Sequence, residues 1–201
     1  MKSQPEEVHN SSDASIDEYE LARSLQAGDS RAIETLYTMY FDRLYAFVFQ
    51  SVNHDHAATE DIIQEIFVSA IRSAKGFKGR SRLYTWLAGI AHHKIYDYFR
   101  LQKKELTRSR DLLNNAPVEQ QPLANNGHSA QGNIESAELR LVLEKALLDM
   151  PLDYREVLLF KYIDEMTVLE ISQAMDRSPK AVDGLLTRAR KLLKRNIEGK
   201  V

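Results

Sequence analysis

Cysteine is absent from the 201-residue chain, tryptophan occurs once, and there are only 8 glycines and 5 prolines. Without cysteine the chain has no disulfides, thiolate zinc sites, iron–sulfur clusters or thiol nucleophile. Long apolar runs are missing as well: the longest are a few residues, against the ~20 needed to span a bilayer. The opening Met1-Lys2-Ser3-Gln4-Pro5-Glu6-Glu7 lacks the apolar stretch of a secretory signal. The expectation is a soluble, cytoplasmic protein with no membrane insertion of its own. What is present is 43% apolar and 28% charged residues, enough for cores but not for a single large one. The length suits one ordinary domain or two small ones.

The net charge of −2 conceals a segregation along the chain. Residues 18–71 carry 3 basic and 9 acidic side chains, whereas 72–104 carry 9 basic and 1 acidic. The alternation repeats, with 4 basic and 9 acidic over 138–176, then 8 basic and 2 acidic over 177–201. A lone basic block is commonly a solvated helix face. Two blocks on patterned helices instead mark a polyanion partner, and nucleic acid is the natural one.

Hydrophobic periodicity is helical throughout, and no stretch alternates with period 2 as a strand would. Residues 1–16 are polar and read as a disordered tail. Three stripes follow within 17–104: Ile33, Leu36, Tyr40, Leu44, Phe47 and Val48; Ile63, Ile66, Phe67, Ala70 and Ala74; Leu87, Ile90, Ala91, Ile95 and Tyr98. Asp29 and Ser81 are the expected N-caps of the first and third. Residues 105–134 lose all period and gather Asn, Gln, Pro and Gly, the composition of a flexible linker. So long a structureless loop inside one compact domain argues for two domains, 17–104 and 135–201. The fold expected is all-α, an N-terminal helical bundle linked to a C-terminal four-helix domain.

In the second domain Leu139, Val142, Leu143, Ala146 and Leu147 make an amphipathic helix, and Pro151 opens another running to about Tyr162. Thr167-Val168-Leu169-Glu170 has the spacing of a capping box. Ser178-Pro179 supplies an N-cap and a first-turn proline. Between those starts, Asp176 falls where a left-handed residue is needed, which Asp tolerates. Ile171, Met175, Val182 and Leu185 lock the two helices together as a helix-turn-helix. The second helix bears Lys180, Thr187, Arg188, Lys191, Lys194 and Arg195, a set able to enter a major groove and neutralise its phosphates.

Met150-Pro151-Leu152-Asp153-Tyr154-Arg155-Glu156, Glu170-Ile171, Ser178, Val182 and Leu186-Thr187-Arg188-Ala189-Arg190 resemble the promoter-binding C-terminal domain of bacterial sigma factors. Tyr37-x-x-Tyr40, Leu44-Tyr45-x-Phe47, Glu60-Asp61-Ile62-x-Gln64-Glu65-x-Phe67 and Phe77-x-Gly79-x-Ser81-x-x-x-Thr85-Trp86-Leu87 resemble sigma domain two. No room exists for a middle globular domain, so the resemblance is to the two-domain extracytoplasmic-function (ECF) type.

That resemblance implies a non-enzymatic factor, without cofactor or metal, that binds core RNA polymerase and promoter DNA and is restrained by an anti-sigma protein. Asp61, Ile62, Gln64, Glu65 and Phe67 fall on the helix that in the family docks on the polymerase. The minus-ten element is assigned to Lys78, Arg80, Ser81, Arg82, Tyr84, Thr85, His92, His93, Lys94 and Arg100, a cationic block suited to an unstacked strand. Trp86, at the spacing of Leu83, Leu87 and Ile90, is read as core. The minus-thirty-five element is assigned to Arg155, which matches a phosphate contact, and to Ser178, Lys180, Asp183, Gly184, Thr187, Arg188 and Lys191. Asp183-Gly184-Leu185 departs from the family pattern, which usually places basic and small polar residues there. The linker would thread the polymerase cleft.

Two rivals are weighed. The histidine pairs His54-x-His56 and His92-His93 lack the spacing of a helical zinc site, and no phosphate loop or nucleophile elbow occurs. An enzyme is therefore disfavoured. A polymerase-independent helix-turn-helix regulator with an N-terminal sensing or dimerisation bundle would leave the 72–104 basic block unexplained.

Overall fold

The computed structural model describes residues 18–112 and 134–199; the expected tail and residues 113–133 of the expected linker lie outside the described residues. Among the described residues every regular element is helical. The first half holds α1 (Glu18–Ala27), α2 (Ser30–Ser51), α3 (His56–Ser73) and α4 (Leu83–Leu112). The second holds α5 (Ile134–Leu148), α6 (Leu152–Leu158), α7 (Val168–Ala174) and α8 (Pro179–Glu198).

Local chemistry sets most of the boundaries. Asp29 caps α2 by accepting from the Arg31 amide at 2.9 Å, and Asp55 caps α3 by accepting from Ala58 at 3.0 Å. Asn53 and His54, at φ 60° and 63°, reverse the chain between these helices. Ser81, the cap expected for α4, does not serve. The helix starts at Leu83, and Glu18 from α1 supplies the missing acceptor: its Oε2 takes the Leu83 amide at 3.0 Å and its Oε1 the Tyr40 hydroxyl at 3.0 Å. A carboxylate there also answers the positive end of the helix dipole. At its other end α4 passes the boundary expected at 104 and reaches Leu112, since neither glycine nor proline falls between Gly89 and Pro117.

In the second half the capping box at Thr167 and Glu170, the Ser178 cap and Pro179 in the first turn are all present. Asp176 has φ 48°, the left-handed turn the helix-turn-helix requires. Ile171, Met175, Val182 and Leu185 are buried together. Of the stripe expected on α5, Ala146 is buried, Val142 and Leu147 are half-buried, and Leu143 is exposed. After Pro151, α6 gives way to a π-helical turn, Leu159–Ile163, that closes with the Asp164 amide donating to the Leu159 carbonyl at 3.0 Å. Such wide turns recur at functional positions.

The two halves are the two helical domains expected from the sequence, and in this conformation they pack against each other so that their buried residues form one apolar cluster. Phe47 of α2 stacks on Phe160 of the π turn with ring centroids 4.5 Å apart. A buried pair of this kind contributes about 0.5–1.5 kcal/mol beyond its area. Helices α4 and α7 approach at Gly89, where an added Cβ would lie 3.4 Å from the Ala174 carbonyl oxygen. The packing leaves Lys78, Arg80, Lys180, Arg188 and Lys191 exposed.

Candidate nucleic-acid and polymerase interfaces

On α3 the positions 61, 64, 65 and 68 fall at i, i+3, i+4 and i+7, one face of a helix. Asp61, Gln64, Glu65 and Val68 are exposed there, with exposed Ile71 a turn further. Ile62 and Phe67 point the other way, into the core, where the Phe67 ring lies 4.9 Å from that of Tyr37. Glu65 is braced by Lys94 of α4, Nζ to Oε2, at 3.0 Å. The face is thus acidic with an apolar continuation, the second part of which charge alone does not reveal.

Between α3 and α4 the chain makes a short 3-10 turn, Ala74–Gly76, and then a basic loop. Gly79, at φ 64°, takes a conformation other residues adopt only under strain. Lys78, Arg80 and Arg82 are exposed and Ser81 half-buried. Trp86 is half-buried against Phe77, ring centroids 5.1 Å apart, in keeping with a core-facing position. Along α4, His93 and Arg100 are exposed, the latter paired with Asp97 at 2.8 Å, and Lys94 is half-buried.

Tyr84, Thr85 and His92, assigned from sequence to the same DNA surface, are instead buried in this conformation. The Tyr84 hydroxyl donates to Asp164 Oδ1 at 2.8 Å, and its ring lies 3.6 Å beneath the Arg43 guanidinium. Arg43 also donates from Nε to Asp164 Oδ1 at 2.7 Å and from Nη2 to the Asp164 carbonyl at 2.6 Å. Burial pushes the Tyr84 phenol far up and the Asp164 carboxyl up, the latter opposed by its Arg43 and Tyr84 hydrogen bonds. His92 Nδ1 and Glu156 Oε2 stand 2.7 Å apart. Arg43 and Asp164 carry no motif; their pairing bridges 121 residues, beyond the reach of any local spacing rule.

The recognition helix is laid out as its sequence implies. Lys180, Asp183, Gly184, Thr187, Arg188 and Lys191 follow the spacing of one face, and all but half-buried Gly184 are exposed. Ser178 Oγ is engaged as the α8 cap, accepting from Ala181 at 3.2 Å, and Thr187 donates to the Asp183 carbonyl at 2.9 Å. The Arg188 guanidinium passes over Gly184, with Nη1 3.6 Å from where a Cβ would be.

Arg155 is not on that surface. It is 5% exposed and donates Nε to the Leu147 carbonyl at 3.1 Å, Nη2 to Leu148 at 2.7 Å, and Nη1 to Gln50 at 3.2 Å, Ser51 at 2.9 Å and the Asn53 side chain at 2.7 Å. These carbonyls close α5 and α2, so one guanidinium satisfies the orphan acceptors of two helix C-termini and ties the halves together. Burial pushes its pKa down. In this conformation the guanidinium expected from sequence to meet phosphate forms a double C-cap.

The arrangement defines a two-part helical DNA-binding protein: a helix-turn-helix with a free cationic recognition helix, joined to a bundle carrying a second basic surface and an acidic face. Residues 36–105 match the Sigma-70 region 2 family, and residues 140–193 match Sigma-70, region 4. The ECF RNA polymerase sigma factor SigM of Bacillus subtilis (strain 168) is 32% identical over 162 residues, covering 81% of this chain and 93% of that protein. SigW of the same strain is 25% identical over 176 residues, covering 87% and 94%. Among solved structures, CnrH in complex with the cytosolic domain of CnrY is similar in fold, with TM-score 0.66, 21% identity and coverage of 92% and 99%. The sigma factor RpoE in complex with the anti-sigma factor NepR, from Bartonella quintana, gives TM-score 0.63, 18% identity and coverage of 82% and 96%.

The chain belongs to the ECF RNA polymerase sigma factors, the transcription initiation factors that bind core RNA polymerase and direct it to promoter DNA. Because region 2 is matched as well as region 4, the polymerase-independent regulator is not favoured. No helix among the described residues is long and apolar enough to cross a membrane.

Proposed function

We propose a division of labour within this sigma factor. The α3 face formed by Asp61, Gln64, Glu65 and Val68 docks on a basic surface of core polymerase, where complementary charge speeds encounter and sets register. The loop Lys78–Arg82 and the α4 residues Tyr84, Thr85, His92, His93, Lys94 and Arg100 engage and melt the minus-ten element. The α8 stripe reads the minus-thirty-five element, with Arg155 released to phosphate once the halves part. The functional units are taken as 17–104 and 135–201, joined through 105–134. An anti-sigma protein covering both halves is the expected inhibitor, in keeping with the complex of RpoE and the anti-sigma factor NepR, in which a protein of similar fold was solved.

The observation that carries this reading is the α8 stripe, six positions at recognition-helix spacing behind a correctly capped turn, five of them open to solvent. A carboxylate at Asp183 suits a cytosine amino group, and the Arg188 guanidinium suits a guanine. The test is in-vitro transcription with core polymerase, mapping of start sites, and repetition on promoters altered in one element at a time. Lys180→Ala and Arg188→Ala should blunt sensitivity to minus-thirty-five substitutions alone, and Lys78→Ala and Arg80→Ala to minus-ten substitutions alone. Equal effects of all four on both elements would refute the division.

A further inference from the structure

Between α4 and the start of α6, the seam where the halves meet leaves a cleft of about 710 Å³. That volume falls within the ~300–1,000 Å³ usual for small-molecule sites. Tyr96, Phe99, Arg100 and Lys103 line it from α4, at the i, i+3, i+4 and i+7 spacing of one helix face. Met150 and Leu152 line it from the second half, so apolar side chains stand on both walls. The Tyr96 ring is 39% exposed, a large aromatic face left uncovered beside a buried Met150.

The charge of the cleft is one-sided. Arg100, Lys103 and Arg155 line it against a single acid, Asp97, which Arg100 already engages at 2.8 Å. Lys103 is exposed and has no ion pair among the described residues. Arg155 is buried, and its acceptors are carbonyls and an amide oxygen, with no carboxylate among them. A buried cation ordinarily has an anionic partner. Its donors are also unevenly used: Nη1 shares its hydrogens among three acceptors, whereas Nη2 meets only the Leu148 carbonyl. One Nη2 hydrogen is therefore without an acceptor among the described residues.

From these walls and this charge we propose that the cleft binds a small aromatic anion, a flat ring system bearing a carboxylate, sulfonate or phosphate. Tyr96 and Phe99 offer ring faces and edges for stacking, and the Met150 thioether suits an aromatic edge. Lys103 and the Arg155 guanidinium supply the field that holds the anionic group. The site is independent of how the DNA surfaces are assigned. Because its walls belong to both halves, an occupant stabilises the chain as a whole by mass action.

The experiment uses the full chain and two fluorescent probes that share a ring system. Anilinonaphthalene sulfonate carries an anionic group, and phenylnaphthylamine lacks it. The sulfonate should bind saturably, one per chain, more tightly than the neutral probe, and should raise the melting temperature. Lys103→Gln alters an exposed side chain; it should weaken sulfonate binding by about fivefold and leave the neutral probe as it was. Leu152→Trp fills the cleft from its apolar wall and should abolish saturable binding of both, with circular dichroism confirming that helix content is kept. Equal affinity of the wild type for the two probes would overturn the proposal. So would sulfonate binding that neither variant alters, since the probe would then sit on another apolar face. If Leu152→Trp does not fold, Lys103→Gln decides alone through the ratio of the two affinities.

Discussion

His92 Nδ1 and Glu156 Oε2, on α4 and α6, form a hydrogen-bonded contact of 2.7 Å at which the glutamate side chain has no solvent exposure. The second glutamate oxygen has no hydrogen-bond partner. Burial raises the Glu156 pKa above its ordinary 4.5, and the hydrogen bond from His92 opposes the rise without cancelling it. The contact therefore positions the two halves without being an efficient source of stability.

A pH dependence of known sign follows. A carboxyl harder to ionise in the fold than in the unfolded chain stabilises the fold most in acid, and that contribution is lost as pH rises through the raised value. Glu156→Gln has no proton to lose. The melting temperature of the variant minus that of wild type should climb as pH is raised from about 4.5 toward neutrality, read by calorimetry in matched buffers. A level difference would place Glu156 in contact with water, and a falling one would mean that the hydrogen bond from His92 outweighs burial.

Arg155 supports a second prediction, of larger size. Its five acceptors are carbonyls and an amide oxygen in the buried seam, none supplied by a carboxylate. Arg155→Met keeps much of the bulk and strands these acceptors, for a loss of about 3 kcal/mol or more in urea unfolding. Arg155→Lys should recover little, because an ammonium cannot reproduce the planar fork that reaches two helix ends. A loss below about 1 kcal/mol would mean the side chain leaves the seam in solution.

The contrast between Arg155 and Arg188 shows how far the sequence could be read. Arg188 is part of a periodic pattern on a capped helix, and position along that helix decides its exposure. The caps at Asp29, Thr167 and Ser178, and the turn at Asp176, are legible for the same reason: each depends on residues within a few positions. The partners of Arg155 lie up to 105 residues away, and those of His92, Tyr84 and Arg43 in the same seam lie 64, 80 and 121 residues away. The Leu83 amide is likewise capped across 65 residues by Glu18, and nothing near Ser81 could have announced it. A composition that reads as linker also conceals whether the modules it joins lie together or apart.

A third prediction concerns the capping box. The Glu170 amide donates to Thr167 Oγ1 at 3.2 Å, while the Thr167 amide and hydroxyl each donate to Glu170 Oε2 at 2.8 Å. Partial burial acts to raise the Glu170 pKa, but the two Thr167 bonds and Arg82 outweigh it and the net shift is downward. Thr167→Ala should cost about 1 kcal/mol at neutral pH. A depressed carboxylate stabilises the fold above its ordinary pKa and loses that contribution as pH falls through the depressed value. The Thr167→Ala penalty should therefore shrink in acid, the reverse of the trend for Glu156. Denaturant titrations at neutral and acid pH will show whether the two trends oppose each other.

The last prediction separates charge from shape on the recognition helix. Arg188→Ala, assayed in holoenzyme, should weaken promoter binding and reduce the slope of log affinity against log salt by about 1 if the guanidinium neutralises one phosphate. Gly184→Ala leaves the charge untouched. The new Cβ would lie 3.6 Å from Arg188 Nη1, an ordinary contact, so α8 should gain about 1 kcal/mol from the better helix former. If the bare backbone at Gly184 admits DNA closely, this more stable variant should bind the promoter less well with its salt slope unchanged. Equal or tighter binding by Gly184→Ala would show that the glycine serves no close approach, leaving Asp183 and Arg188 as the source of any unusual base preference at this element.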